Sequence, residues 1–332
     1  MELFLHIGFP KTGNTTFHHL LQNSKEINYV GQRKNQTYRE IVGVFNSIWQ
    51  SMIFDSLNNF KKKIKDNKAN IILELSSSKK NILIIEGITD FFFYYTRNKD
   101  FLKRLKLLEK KLLPQVNLQL ILMLKNQPDF IISRYVESPE FFHDLKKDWI
   151  IFENLLTYFT RKKSNKYEKL FFEHLKYSFL IKKLLKLFSK KKISIFLYEE
   201  LNRDTKNFAK KFSNLLDLPN KFTYNFLKNY RFNKSNLTNE SGYLKKKIQI
   251  TYKITNNMIY RRFGKYIPLI VKYTIKSFLK SIDRLLHNIS PANNSIIRMT
   301  TIEKKIIQEF YFKDNNKLNG ILKIDLKKYE YY

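Results

Sequence analysis

Short apolar runs alternate along this chain with stretches whose apolar residues recur every three or four positions. The runs are Leu3-Phe4-Leu5-His6-Ile7, Asn81-Ile82-Leu83-Ile84-Ile85, Leu118-Gln119-Leu120-Ile121-Leu122-Met123-Leu124 and, within 192–201, Ile193-Ser194-Ile195-Phe196-Leu197. Runs of this length, bounded by Gly, Pro or polar turn residues, predict buried strands. After the first run Phe17, Leu20 and Leu21 have helical spacing. After the third, Pro128 is well placed as the first residue of a helix whose apolar side is Ile132, Tyr135 and Val136. Further helices are predicted over 171–188, 205–216 and 301–318, and the last strand over 192–201.

Chemistry enters between the first strand and the first helix. Gly8-Phe9-Pro10-Lys11-Thr12-Gly13-Asn14-Thr15-Thr16 reads as a phosphate loop, because the N-terminus of the helix after it points backbone N–H groups and a positive dipole end at any anion held there. Gly8 and Gly13 have the spacing of a Walker A loop, G-x-x-x-x-G-K-S/T, but Asn14 stands where that motif has lysine. The lysine, Lys11, is inside the loop, and no apolar strand ends in the Asp of a Walker B site. The alternative without a ligand is a tight strand-to-helix turn.

Pro10-Lys11-Thr12-Gly13 and Thr15 resemble the 5′-phosphosulfate loop of sulfotransferases that use 3′-phosphoadenosine 5′-phosphosulfate (PAPS), whose pattern is Pro-Lys-Thr/Ser-Gly-Thr-Thr. Asn14 departs from the pattern while keeping an amide donor. In that family a second strand ends in Arg-Asn, with a Ser eight residues after the Arg, and the pair forms the 3′-phosphate site. Lys125, Asn126, Ser133 and Tyr135 stand at those offsets here; lysine keeps the charge but lacks the planar fork that grips phosphate bidentately. A third match, Lys80 to Asp90 with Glu86 followed by Gly87, resembles the glycan sulfotransferase segment whose strand-end Glu serves as base. The resemblance extends from residue 3 to 329, with Tyr198-Glu199-Glu200-Leu201 and the closing 314–329 resembling bacterial members.

What the resemblance implies is an α/β fold: a P-loop three-layer α/β/α core around a central parallel sheet, with a helical C-terminal decoration. Ligands bind such sheets outside the carboxyl ends of the strands, where the loop, Glu86 and Lys125 all fall. The implied site residues are Lys11, Thr12, Gly13, Asn14, Thr15, Thr16, Lys125 and Ser133 for PAPS, with PAP, the 3′,5′-bisphosphate, as product. Lys11 and Glu86 are the implied catalytic pair: Glu86 takes the acceptor proton, and Lys11 with the loop N–H groups stabilises charge on the transferring group. Glu86 also has a structural reading as a cap or ion-pair partner. Glu74, read as a solvated face, and His18, one turn into the first helix, are the alternatives for the base, whereas His6 and His19 are read as packing residues. No metal is needed by this scheme, and with no cysteine and no H-x-x-x-H pair a zinc site has little support.

Composition adjusts the reading without overturning it. The chain's 332 residues, 43% hydrophobic, suffice for a full core. Its net charge of +33 raises nucleic acid as a partner. The lysine excess accompanies abundant Asn, Ile, Phe and Tyr, so runs such as Lys61-Lys62-Lys63 and Lys190-Lys191-Lys192 are read as solvated faces, and nucleic acid is disfavoured. The predicted organisation is a PAPS-binding core over 1–232, a basic helical insertion over 243–289, and a C-terminal helix and tail over 299–332 returning to the core. The insertion is too interrupted by lysine to span a membrane, but suits an anionic membrane surface or a place beside the acceptor cleft. Arg231, Lys234 and Ser235 are candidates for a basic loop over the nucleotide, with an ordinary surface loop as the alternative. The opening residues resemble no export signal. The resemblance implies a cytoplasmic enzyme, peripheral at the inner face of a membrane, acting on a saccharide hydroxyl of a bacterial surface glycan. A P-loop nucleotide kinase-like enzyme, and a basic membrane- or nucleic-acid-binding protein with an inactive loop, are the rival readings.

Overall fold

Five short apolar strands assemble into one all-parallel sheet of order β2-β3-β1-β4-β5, from β1 (Glu2–His6), β2 (Ile27–Tyr29), β3 (Lys80–Ile84), β4 (Asn117–Leu124) and β5 (Ile193–Leu197). Leu5 is in register with Leu83 on one side and Leu120 on the other, which sets β1 at the centre. The computed structural model describes residues 1–30, 43–85, 100–137, 171–230, 243–244, 278, 281, 296–297 and 299–332. Glu86, Arg231, Lys234, Ser235 and nearly all of the 243–289 segment lie outside the described residues. The chain divides into two compact units, one of 1–130, 163–233 and 305–332, the other of 131–162 and 234–304.

Side chains alternate between the faces of a strand, and each face here has its own helical layer. Phe4, Ile82, Ile84, Ile121, Met123 and Phe196 join one core with Phe17, Leu20 and Leu21 of α1 (Asn14–Gln22), and with Phe208, Phe212, Phe226 and Leu227 of the helices Thr205–Leu216 and Asn220–Asn229. Leu3, Leu5, Leu83 and Ile85 face the other way, lining a small apolar cavity with Phe45, Ile48 and Met52 of Gly43–Phe54, Ile71 of Leu57–Glu74, and Leu108 and Leu112 of Phe101–Leu112. Helices on both faces of a parallel sheet make the predicted three-layer α/β/α arrangement.

Local chemistry explains where several helices begin. Asp204 accepts the N–H of Asn207 at 3.1 Å, and Ser56 that of Asn59 at 3.2 Å. Thr300 and Glu303 form a reciprocal capping box, Glu303 Oε2 accepting the Thr300 N–H at 2.7 Å and Thr300 Oγ1 the Glu303 N–H at 3.2 Å. The predicted helix over 205–216 is found as Thr205–Leu216, and the last helix runs Thr301–Leu322. Two expectations need correction. The strand predicted over 192–201 stops at Leu197, and Tyr198–Arg203 is a short helix, because Glu199 and Glu200 turn into hydrogen bonds that an extended strand would not reach. The helix predicted over 171–188 is interrupted near Leu175-Lys176, and its second part, Tyr177–Leu187, starts where the Ser178 N–H donates to Asp314 Oδ2 at 3.2 Å.

Candidate functional site

The loop after β1 is built by two left-handed residues, Lys11 at φ 64° and Gly13 at φ 86°. Gly13 is the N-cap of α1, and its carbonyl accepts the N–H of Thr16 at 2.9 Å and of Phe17 at 3.3 Å. The first N–H groups of α1 precede these bonds and face the loop. Thr12 turns inward, its hydroxyl donating to the Phe9 carbonyl at 2.6 Å and to Asn14 Oδ1 at 3.3 Å. Asn14 is buried too, its amide donating to the Phe9 carbonyl at 3.4 Å. Both side chains brace the loop, leaving their backbone N–H groups to any anion. Lys11 and Thr15 are half-buried, and Thr16 is buried.

Lys125 ends the neighbouring strand β4. Phe9 N–H donates to the Met123 carbonyl at 3.3 Å, so the two strand ends run side by side into the loop and the next helix. The Lys125 ammonium is buried 4.9 Å from the centroid of the Tyr198 ring, and a Cβ on Gly13 would lie 3.3 Å from Tyr198 Cε2. Tyr198 thus stands between the loop and Lys125, its ring face stabilising the cation. Burial pushes the Lys125 ammonium below the ordinary lysine range; Asp129 and Glu199 pull it back up, and Lys11 pushes it down again.

Beneath Lys125 is a buried polar network that sequence reasoning did not assemble. Glu199 Oε1 accepts the Asn126 N–H at 2.9 Å and Asn126 Nδ2 at 3.2 Å, while Tyr331 donates its hydroxyl to Glu199 Oε2 at 3.3 Å. Burial pushes the Glu199 carboxyl up to about 7 against the pull of the Asn126 N–H and Lys125. Asn126 caps the helix Gln127–Glu137, its Oδ1 accepting the Asp129 N–H at 2.9 Å and its Nδ2 donating to Asp129 Oδ2 at 2.9 Å. Gln127 and Asn315 exchange amide hydrogen bonds at 2.9 and 3.1 Å, Asn315 donates to the Tyr331 carbonyl at 2.6 Å, and the Tyr177 hydroxyl donates to the Lys125 carbonyl at 2.7 Å. The sequence signals were present in the Tyr-Glu-Glu-Leu and Asp314-Asn315 segments, but nothing in them shows that they meet.

The other candidates are placed as follows. Ser133 is buried on the helix Gln127–Glu137, in a stretch that groups with the second compact unit. Glu86 follows Ile85, whose N–H donates to the His6 carbonyl at 2.9 Å, and is itself outside the described residues. Glu74, at the end of Leu57–Glu74, is exposed and accepts the Val44 N–H at 3.3 Å. His18 is buried and bonded through Nδ1 to the Tyr29 hydroxyl, whereas His19 is only half-buried, the reverse of the sequence expectation. Helix α1 is covered both by the helical core and by β2, so its buried arc is wider than one apolar stripe. Among the described residues no cluster of three or more His, Cys, Asp or Glu side chains is arranged to hold a metal ion, and no helix is long and apolar enough to cross a membrane.

No protein-family model matches this chain, and no curated protein matches it. Among solved structures it is similar to a sulfotransferase from Alicyclobacillus acidocaldarius, 12% identical, with a TM-score of 0.48 over 98% of this chain and 97% of that one. Identity and score at that level carry no functional argument, so function rests on the chain's own residues.

Proposed function

We propose that the loop and the end of β4 form the donor site of a PAPS-dependent sulfotransferase acting on a saccharide hydroxyl. The observation that carries this reading is the pair of cations at adjacent parallel strand ends, Lys11 in the loop and Lys125 on the Tyr198 ring, near enough to repel one another. A nucleotide with anionic groups at both its 5′ and 3′ ends uses two such cations; one with a single phosphate cluster uses the loop alone. Asn14, braced inside the loop where a kinase has its phosphate-bridging lysine, speaks against phosphoryl transfer.

In this reading the acceptor oxygen attacks sulfur in line as the bond from sulfur to the 5′-phosphate oxygen breaks. Lys11 and the loop N–H groups stabilise the charge that develops on the departing phosphate. Glu86, which follows Ile85 in the sequence, receives the acceptor proton. The basic surface holds an anionic glycan, and the 243–289 segment meets that chain or an anionic membrane on the cytoplasmic side. The test is transfer of radiolabelled sulfate from PAPS to a panel of oligosaccharides and simple phenols. Glycan labelling is expected, with Glu86→Gln sparing PAP affinity and lowering turnover about 10²- to 10⁴-fold. Efficient labelling of phenols and of no oligosaccharide contradicts the acceptor reading, and near-normal turnover in Glu86→Gln moves the base elsewhere.

A further inference from the structure

Two carboxylates share the surroundings of Lys125, more negative charge than an anion site needs. Glu199 and Asp129 both bind Asn126, and both pull on the Lys125 ammonium. The facing groups come from every element around them. Lys11 faces Lys125 from the loop, Tyr331 donates to Glu199 from the C-terminal segment, and the Tyr177 hydroxyl is committed to the Lys125 carbonyl. His174 packs on Phe9, with ring centroids 5.6 Å apart. On the helix of Glu199 itself, Tyr198 lies under Lys125, and Glu200 turns away to Lys211 and Asn207. Among the described residues, the two nearby lysines are balanced by two carboxylates whenever Glu199 is ionised, before any ligand arrives. An incoming phosphate makes the cluster net negative in a buried setting, where uncompensated charge is costly. Protonating one carboxylate relieves that excess. Asp129 is partly open to solvent, which screens it; Glu199 is buried, with both oxygens held by donors.

We infer that Glu199 is a positioning residue that takes up a proton when an anion binds against Lys125, so that ligand binding is coupled to its protonation. This rests on reading the rim as the nucleotide site. Burial has already brought the carboxyl to about 7, so a modest further push by a bound anion changes its protonation near neutral pH. The sign follows from linkage. The complex holds more protons than the free protein from about pH 7 up to the further raised value, so Glu199 makes affinity fall as pH rises through that window. The ligand phosphate loses its own second proton near pH 6 and pulls the other way, so the wild type must be compared with a variant.

The experiment is calorimetric titration of the full chain with PAP and, separately, with inorganic pyrophosphate, at pH 7 in buffers of unlike ionisation enthalpy. Wild type is expected to take up on the order of half a proton more per bound anion than Glu199→Gln. Tyr331→Phe removes a donor that favours the ionised carboxylate and is expected to move the uptake window to higher pH. Equal uptake by wild type and Glu199→Gln overturns the inference; if that variant does not fold, a Tyr331→Phe profile superimposed on wild type overturns it. Should pyrophosphate bind and PAP not, the nucleotide reading fails, and the pyrophosphate titrations decide the proton inference by the same comparison. Binding of neither anion overturns both.

Discussion

Lys11 holds its charge at the loop mouth by occupying left-handed backbone, which costs an ordinary residue about 1–2 kcal/mol. Asn tolerates that conformation far better than lysine. Lys11→Asn is therefore expected to leave thermal stability unchanged or raised by up to about 1 kcal/mol while weakening PAP binding, a split that calorimetry and thermal unfolding together resolve. Lower stability together with intact binding would contradict it. Gly13→Ala should do the opposite on the first count. Its φ of 86° disfavours any side chain, and the new Cβ would press on Tyr198, the ring that holds Lys125. Stability is expected to fall by about 1–2 kcal/mol, with anion affinity falling alongside.

The end of β4 and the C-terminal segment act as one piece although they are far apart in the chain. Gln127 and Asn315, 188 residues apart, exchange amide hydrogen bonds, and Tyr331 reaches Glu199 across 132 residues. Asn315→Ala leaves the buried Gln127 amide and the Tyr331 carbonyl without these partners, so unfolding stability should drop by about 1–3 kcal/mol. PAP affinity should fall with it, because the same network sets Lys125. An unchanged affinity would show that the C-terminal segment is only packing. These separations explain what was legible in the sequence. Three of the four predicted strands appear almost as written, and the loop between β1 and α1 was recognisable, because apolar runs, Gly and Pro act locally. Local pattern misread residues 198–201 as strand: Tyr198 and Leu201 suit a strand, and only the distant Asn126, Asn207 and Lys211 reveal why the segment coils. The short strand β2 was not anticipated, and so neither was the burial of His18 behind it. The polar network stayed hidden for the same reason, since its partners are far apart in the chain and none of their segments names the others.

Across the whole chain a net charge of +33 draws any anion, and that attraction does not distinguish one nucleotide from another. It is screened within about 10 Å at 0.1 M salt, whereas the buried contact at Lys125 is screened much less. Discrimination measured at moderate salt therefore reports the site and not the field. The direct test is thermal unfolding of the full chain at about 0.15 M salt with equal concentrations of PAP, AMP and ATP, a ligand that binds the folded state raising stability by about 2.7 kcal/mol at a hundred times its Kd. PAP is expected to stabilise the protein clearly more than either AMP or ATP, and Ser133→Ala to narrow the gap. Equal shifts from PAP and AMP, or a larger shift from ATP, would contradict a donor site built for a 3′-phosphorylated nucleotide.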